Sequence, residues 1–408
     1  MTRILLVSHY FPPEVGAPQA RLSEMARAWA TSGADVTVLT GMPNHPTGVI
    51  HDEYRGTVLR RESRDGYRVL RTWLYATANE GIVKKTLGHL SFMVTSVLLG
   101  GWRTGRPDVV VVSSPTFFSI GSAWVLARLR RARLVVEVRD LWPAIFVELG
   151  VLTNRPLIRL LERLELAAYA AADAVVVVSE GFREDLVRRG VPADKVHTIR
   201  NGVDLDRFSG RTAADPKVRA QLGAGPDDVL VLYLGAHGIS QGLPSVAEAA
   251  ALVTDAPLRF AFVGEGADKV RLRRTVEALQ LPNVTMLPAV PREQVPGLLA
   301  AADICLAPLR DVALFSTFIP SKIFEYLAVE KAVVGSVRGE TARILSEAGA
   351  VVVEPEQPEA LAAALRTLAG DPDRRRDMGS AGRRYVAEHF DRDALADLYL
   401  LLLQGLTR

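Results

Sequence analysis

Short apolar runs recur along this chain. Each breaks into a loop, and segments of helical period separate one run from the next. Residues 4–7 lead into Ser8-His9-Tyr10-Phe11-Pro12-Pro13. Residues 20–31 then carry Leu22, Met25, Ala26 and Trp29 at helical spacing before Gly33, and residues 36–40 are apolar again. A run this short, followed by a helix and another run, is the unit of a parallel sheet. The alternation continues through runs at 108–113, 134–138, 174–179 and 196–199, with helical segments at 121–130 and 156–171. Residues 206–228 lack an apolar period and are rich in turn formers, as at a crossing between domains. A second series follows, with runs at 229–234, 259–263, 284–287, 304–307, 332–335 and 350–353 and helical segments at 358–369, 372–390 and 394–403. The pattern predicts an α/β protein of two doubly wound, Rossmann-like domains, 1–205 and 206–391, with helix 392–408 packing back on the first. Ligands of such sheets bind in the cleft at the carboxyl ends of the strands.

Length and composition agree with two cores: 408 residues with a hydrophobic fraction of 49%. A net charge of +3 is too small to argue for nucleic acid. The single cysteine, Cys305, excludes an internal disulfide framework, suits a reducing compartment and reads as a core filler within its apolar run. The first residues do not read as a signal peptide, because a loop follows the apolar run where a cleavage site would stand.

The stretch Pro320-Ser321-Lys322-Ile323-Phe324-Glu325-Tyr326 reads as a loop entering a short helix. Ser321 and Lys322 sit at its first turn, where N–H groups and a cation suit a phosphate. Glu325, about one turn on, would accept both ribose hydroxyls with one carboxylate. Gly235 after residues 229–234 and Gly264 after 259–263 read as tight turns lining the same pocket. Lys269 stands where a dinucleotide fingerprint would have its third glycine. Asp204 and Asp206 have the spacing of a metal pair but sit in a domain-crossing turn, so no metal is expected. Residues 86–102 carry no Asp, Glu, Lys or Arg and are flanked by Lys84, Lys85, Arg103 and Arg106. The run is short for a spanning helix. It suits either a helix lying on an anionic membrane surface through 84–106, near Arg60 and Arg61, or one packed on the sheet.

In order along nearly the whole chain stand Ser8-His9-Tyr10-Phe11-Pro12-Pro13-Glu14, Pro43-Asn44-His45-Pro46-Thr47-Gly48, Val138-Arg139-Asp140-Leu141-Trp142-Pro143, Arg200-Asn201-Gly202-Val203-Asp204, Tyr233-Leu234-Gly235-Ala236-His237-Gly238-Ile239-Ser240-Gln241-Gly242-Leu243 and the stretch at 320–328. In these motifs the chain resembles the retaining GT-B glycosyltransferases of the glycosyltransferase family 4 type. It is most similar to bacterial enzymes that transfer fucosyl or N-acetylfucosaminyl residues for capsule and O-antigen polysaccharides. The resemblance implies a nucleoside diphosphate sugar donor, UDP-linked, with no further cofactor. It also implies a polyprenyl-diphosphate-linked saccharide acceptor, a cytoplasmic enzyme peripheral at the inner face of the plasma membrane, and front-face attack assisted by the leaving phosphate. Two features depart from the pattern, at three positions. The family's paired glutamates become Thr317 and Glu325, and its diphosphate-binding Arg and Lys become His237 and Gln241. Lys322 and Arg200 are then the remaining cationic partners of the donor.

On the N-terminal side, the loop 11–19 with Gly16 would hold the acceptor, and Glu14 would hydrogen-bond a sugar hydroxyl. His9 either does the same or caps the strand end. Asp140 ends a buried strand. With Arg139 beside it on the acceptor side, it either takes or positions the acceptor proton, or forms a salt bridge holding the Trp142–Pro143 turn. Two other readings fit these motifs: a nucleotide-sugar epimerase of the same architecture and a non-catalytic nucleotide-sugar sensor.

Overall fold

The computed structural model describes residues 1–14, 16–45, 47–78, 81–114, 117–209 and 213–407. Val15 of the first loop, Pro46 of the 43–48 motif and residues 210–212 of the crossing segment lie outside the described residues. The chain divides into one unit of residues 1–201 with 393–408 and a second of 202–392, so the division falls after Asn201 rather than after Leu205.

The first unit runs β1 (Arg3–Val7), α1 (Ala17–Thr31), β2 (Asp35–Gly41), β3 (Leu59–Arg64), β4 (Tyr67–Thr72), α2 (Gly81–Thr95), β5 (Val109–Ser113), α3 (Phe117–Arg130), β6 (Arg133–Val138), α4 (Ala144–Glu148), α5 (Arg155–Ala171), β7 (Ala174–Val177), α6 (Glu180–Arg188) and β8 (Val196–Thr198). Its sheet has the order β3-β4-β2-β1-β5-β6-β7-β8, parallel except for β3. The apolar runs are buried on both faces, as parallel strands require: Leu5, Leu6 and Val7 of β1 and all of β5 are buried. The β3–β4 hairpin is absent from the periodicity reading, which passes from residue 40 to 108. Its Asp65-Gly66 turn has positive φ at both residues, 45° and 85°, the geometry that this dipeptide favours. Arg60 and Arg61 therefore belong to an edge strand.

Right-handed crossovers put α1 on one face of this sheet and α2, α3 and α5 on the other. Trp29 of α1 donates from Nε1 to Ala396 O at 3.0 Å, which fixes the C-terminal helix (Arg392–Gly405) against α1. Beneath them lies a fully buried ion pair: Arg21 Nη2 is 2.8 Å from Glu137 Oε1, with the two side chains 3% and 1% exposed. The same guanidinium donates to Ile199 O and Arg200 O, tying α1, β6 and the end of β8 together. Burial, the largest influence, would raise the Glu137 carboxyl, but Arg21, Arg139 and Ser113 together outweigh it and hold the group below its usual range. α2 continues through a π-turn at Ser96–Gly100, and among the described residues no helix is long and apolar enough to cross a membrane.

The second unit runs α7 (Pro216–Gln221), β9 (Val229–Leu234), α8 (Leu243–Ala251), β10 (Leu258–Val263), α9 (Lys269–Ala278), β11 (Val284–Leu287), α10 (Val295–Ala301), β12 (Ile304–Pro308), α11 (Lys322–Ala328), β13 (Ala332–Ser336), α12 (Gly339–Glu347), β14 (Val351–Val353), α13 (Pro358–Ala369) and α14 (Pro372–His389). The helix Arg392–Gly405, α15, then returns to the first unit. The sheet β11-β10-β9-β12-β13-β14 is entirely parallel. Cys305 is buried in β12. α7 falls in the segment read as crossing; Pro216 opens it and Asp215 caps it by accepting from Lys217 N at 2.8 Å.

Candidate functional site

Strand order in the second unit reverses between β9 and β12, and ligands of open α/β sheets bind at such a point. The two strands pair only at Ile304–Val231 and Cys305–Leu232. Beyond that, Tyr326 of α11 replaces the missing strand partner. Its hydroxyl accepts from Leu234 N at 3.1 Å and donates to Leu234 O at 3.0 Å, so α11 begins where β9 ends.

Lys322 reaches back over the turn after β9. Its Nζ lies 2.5 Å from Tyr233 Oη and 3.8 Å from the centre of that ring, while Tyr233 Oη donates to Ala236 O at 2.5 Å. Gly235 makes this approach possible: it has φ +143°, and a Cβ there would lie 2.9 Å from Lys322 Nζ. Gly264, at φ +153°, interlocks with it, since a Cβ would meet Gly235 O at 1.8 Å. Lys269 holds the second turn: its Nζ donates to Gly264 O and Leu287 O and pairs with Glu265 at 2.6 Å. Burial pulls the Lys322 ammonium down to about 7, against the opposing pull of Glu325.

Glu325 is half-buried, with Arg292 Nη1 3.5 Å from Oε1. Burial pushes its carboxyl upward, opposed by Arg292, Lys322 and Arg207. The expectation of free first-turn N–H groups is corrected in part. Ile323 N bonds Pro320 O at 3.1 Å and Phe324 N bonds Ser321 O at 3.2 Å, so the positive charge here is chiefly that of side chains. Thr317 spends its hydroxyl on Leu314 O at 2.8 Å. Gln241 lies in the loop between β9 and α8, half-buried. His237 does not stand in for a cation: it is fully buried, and burial with Lys269 and Lys322 nearby pulls its imidazole to about 4, so it is neutral near pH 7, with both ring nitrogens left without a hydrogen-bond partner among the described residues. Its backbone joins the two glycine turns, donating to Glu265 O at 2.8 Å and accepting from Asp268 N at 2.9 Å.

In the first unit, Glu14 is buried and braces loops: its carboxylate accepts from Phe11 N at 2.9 Å and from Asn44 N and His45 N at 2.8 Å. These bonds give it a structural task in place of the expected sugar contact. His9 is likewise buried, its Nδ1 3.4 Å from His89 Nδ1 and its ring against Tyr10 and Phe92. Burial first, then His89, lowers it well below its ordinary value. Gly16 precedes α1 with an extended backbone, and Gln19 Oε1 occupies the space where a Cβ would point. Arg139 and Asp140 follow directly on β6, both half-buried. Arg139 N donates to Ser114 Oγ at 3.0 Å, and burial raises the Asp140 carboxyl against the pull of Arg139. Arg200, grouped with the donor residues in the sequence reading, belongs to the first unit, 3.8 Å from Glu180. Asp204 accepts from Arg207 N at 2.9 Å with its side chain and from Phe208 N at 3.0 Å with its carbonyl, which holds the turn that follows it.

Four residues here escaped the sequence reading: Tyr233, Tyr326, Lys269 as a brace, and Arg292. Each also acts on a partner far off in sequence (Lys322, Leu234, Leu287 and Glu325 in turn), and no local pattern marks that partner. The motif Lys322-x-x-Glu325 was legible because both residues project from one helix turn.

The sequence profile of the "Glycosyl transferase 4-like domain" matches residues 16–202, and that of "Glycosyl transferases group 1" matches 214–385. The putative colanic acid biosynthesis glycosyl transferase WcaI of Escherichia coli (strain K12) is 28% identical over 99% of this chain and 100% of its own. The putative teichuronic acid biosynthesis glycosyltransferase TuaH of Bacillus subtilis (strain 168) is 26% identical over 58% of this chain and 59% of its own. Among solved structures, sucrose-phosphate synthase from Thermosynechococcus elongatus superposes with a TM-score of 0.79 at 22% identity, over 100% of this chain and 99% of its own. Anabaena Alr3699/HepE in complex with UDP and glucose gives 0.72 at 17% identity, over 99% and 100%. With both domain profiles matched in tandem, a relative aligned end to end and two parallel α/β units of this topology, the chain belongs to the GT-B glycosyltransferases.

Proposed function

We propose that the chain is a retaining glycosyltransferase of cell-surface polysaccharide synthesis. It moves a hexose or deoxyhexose from a UDP-linked sugar to a hydroxyl of a lipid-linked saccharide. The observation that carries the reading is Lys322 held by Tyr233 over the glycine turn, with Glu325 one helical turn away on the same switch point. That pairing suits a diphosphate beside a ribose. The WcaI and TuaH names support the process, and the HepE complex supports UDP. In the transfer, the acceptor oxygen bonds to the anomeric carbon, the bond from that carbon to the diphosphate oxygen breaks, and the acceptor proton passes to the departing phosphate. Lys322 stabilises the charge that builds on the diphosphate. No metal or other cofactor is assigned.

Calorimetric titration of UDP and GDP tests the donor site. Glu325→Ala is expected to weaken UDP by about 10–100-fold, the scale of a lost charge-assisted bond. Equal affinity in both proteins sinks the ribose assignment, and tighter GDP binding reassigns the base. In the first unit, Asp140 positions the acceptor hydroxyl, with Arg139 beside it. Asp140→Asn is expected to lower kcat by about tenfold or more. Unchanged turnover leaves Asp140 as a structural residue of its turn.

A lipid-linked acceptor asks for a membrane contact, and residues 84–106 suit one. Leu87, Val94 and Leu98 are exposed along one side of α2 and its π-turn, and Trp102 beyond them is 77% exposed. Trp73, Tyr75, Leu87, Leu90 and Val94 line an apolar groove of about 440 Å³ there.

A further inference from the structure

The proposal concerns α5 and rests on the reading of a membrane-bound acceptor. We propose that α5 is a second docking element for an anionic lipid leaflet, acting together with α2 through the intervening α3. The sequence shows an ordinary capped amphipathic helix: Asn154 accepts from Leu157 N at 3.1 Å, and Pro156 stands in the first turn. The fold buries only one narrow side of it. Glu165 and Tyr169 face inward, joined by a 2.9 Å hydrogen bond, with Arg189 closing on Glu165.

The outer side is apolar. Leu157, Leu160 and Leu164 are 41%, 53% and 44% exposed. At about 100° per residue they fall within about 60° of one another, and Arg155, Arg159 and Arg163 occupy a neighbouring arc of about 80°. All three arginines are exposed, whereas Glu162 is half-buried and Glu165 buried. An apolar strip with a cationic strip beside it is the chemistry of a helix lying in the headgroup layer of an acidic bilayer. A protein partner would be expected to offer a mixed rim, and a second copy would bring these arginines toward its own.

Two observations extend the surface. α3 packs against both α2 and α5 on the same sheet face, and it exposes Trp124 and Leu129. The segment joining the Asp140 loop to α5 exposes Phe146, Val147 and Val151, with Glu148 exposed among them, so apolar side chains lie along the chain between the α5 strip and Asp140. By contrast, among the described residues the second unit exposes only Leu252, Val270 and Leu279 as large apolar side chains.

Flotation with phosphatidylcholine vesicles, with and without phosphatidylglycerol, tests this. Wild type is expected to float with the anionic vesicles, and Leu160→Glu/Leu164→Glu to lower the partition at least about tenfold at unchanged UDP affinity and tryptophan emission. Arg155→Gln/Arg159→Gln/Arg163→Gln, which alters exposed side chains alone, is expected to lose the preference for phosphatidylglycerol. It keeps the test valid if the glutamate variant misfolds. If wild type floats, the α5 variants float equally and Lys84→Glu/Lys85→Glu alone fails, α5 is no docking element although the membrane reading stands. If wild type does not float, both fall. A wild-type dimer that dissociates in the glutamate variant, without vesicle binding, assigns the strip to a second copy and overturns the proposal.

Discussion

Replacing Lys322 with methionine is expected to lower kcat/KM for the nucleotide sugar by about 10²–10³-fold near pH 7, the scale of removing one preorganised group from a site of developing charge. Methionine keeps the length and apolar stem, so the turn and α11 should stay in place and the loss should report the ammonium. Lys269 cannot substitute for it, because its Nζ is committed to Gly264 O, Leu287 O and Glu265. The pH profile separates this role from a packing role. Burial lowers the Lys322 ammonium to about 7, so in the free enzyme the charged form is lost as pH rises through that value. The plot of kcat/KM should fall on its alkaline side near pH 7. A bound diphosphate favours the ammonium, so the corresponding limb of kcat should move to higher pH. Both limbs should be absent in the methionine variant. A variant within twofold of wild type, with the limb intact, returns Lys322 to the status of a scaffold residue.

Glu137→Gln is expected to cost the first unit about 3–5 kcal/mol, because it leaves the Arg21 charge buried without its counter-ion. All five tryptophans, at 29, 73, 102, 124 and 142, lie in that unit, so their fluorescence in urea follows its unfolding without a contribution from the second. The pH dependence has a defined sign. The folded carboxyl is held below its usual range, so the pair's stabilisation is present above the unfolded value and is lost as acid protonates Glu137 in the folded state. That acid loss should be shallower in the glutamine variant. The double replacement Arg21→Met/Glu137→Leu removes both charges and should recover most of the stability. A cost below about 1 kcal/mol in the single variant would instead match an exposed pair.

Most strands were legible because a parallel sheet buries both faces, which writes each strand as a short apolar run. The β3–β4 hairpin was not, although Asp65-Gly66 marks its turn. Residues 59–64 alternate on an edge strand and never form an apolar run. At the proposed donor site, Lys322 and Glu325 could be found from their spacing on one helix turn, and Gly235 and Gly264 from their places after strands. Tyr326 could not, because it serves the end of β9, a strand far from it in sequence. His237 and Glu14 were assigned to substrate for their chemistry. Burial and backbone partners turn the Glu14 carboxylate toward holding loops, and burial leaves the His237 ring neutral, with only its backbone joining the turns.

By itself the sequence determined the architecture and singled out the helix proposed to hold the donor. Both follow from local patterns: apolar periodicity, turn formers, and charges one helical turn apart. Only the tertiary structure decided which charges are free to act and which leucines remain in water. Lys322 and Lys269 are alike in sequence terms; one is held over an open turn by Tyr233, and the other is consumed by two carbonyls and a carboxylate. Leu157, Leu160 and Leu164 look like core residues of an amphipathic helix, yet the sheet receives α5 on another side. Desolvation and partner choice depend on groups that meet only after the chain has folded, and the linear pattern carries no record of those meetings.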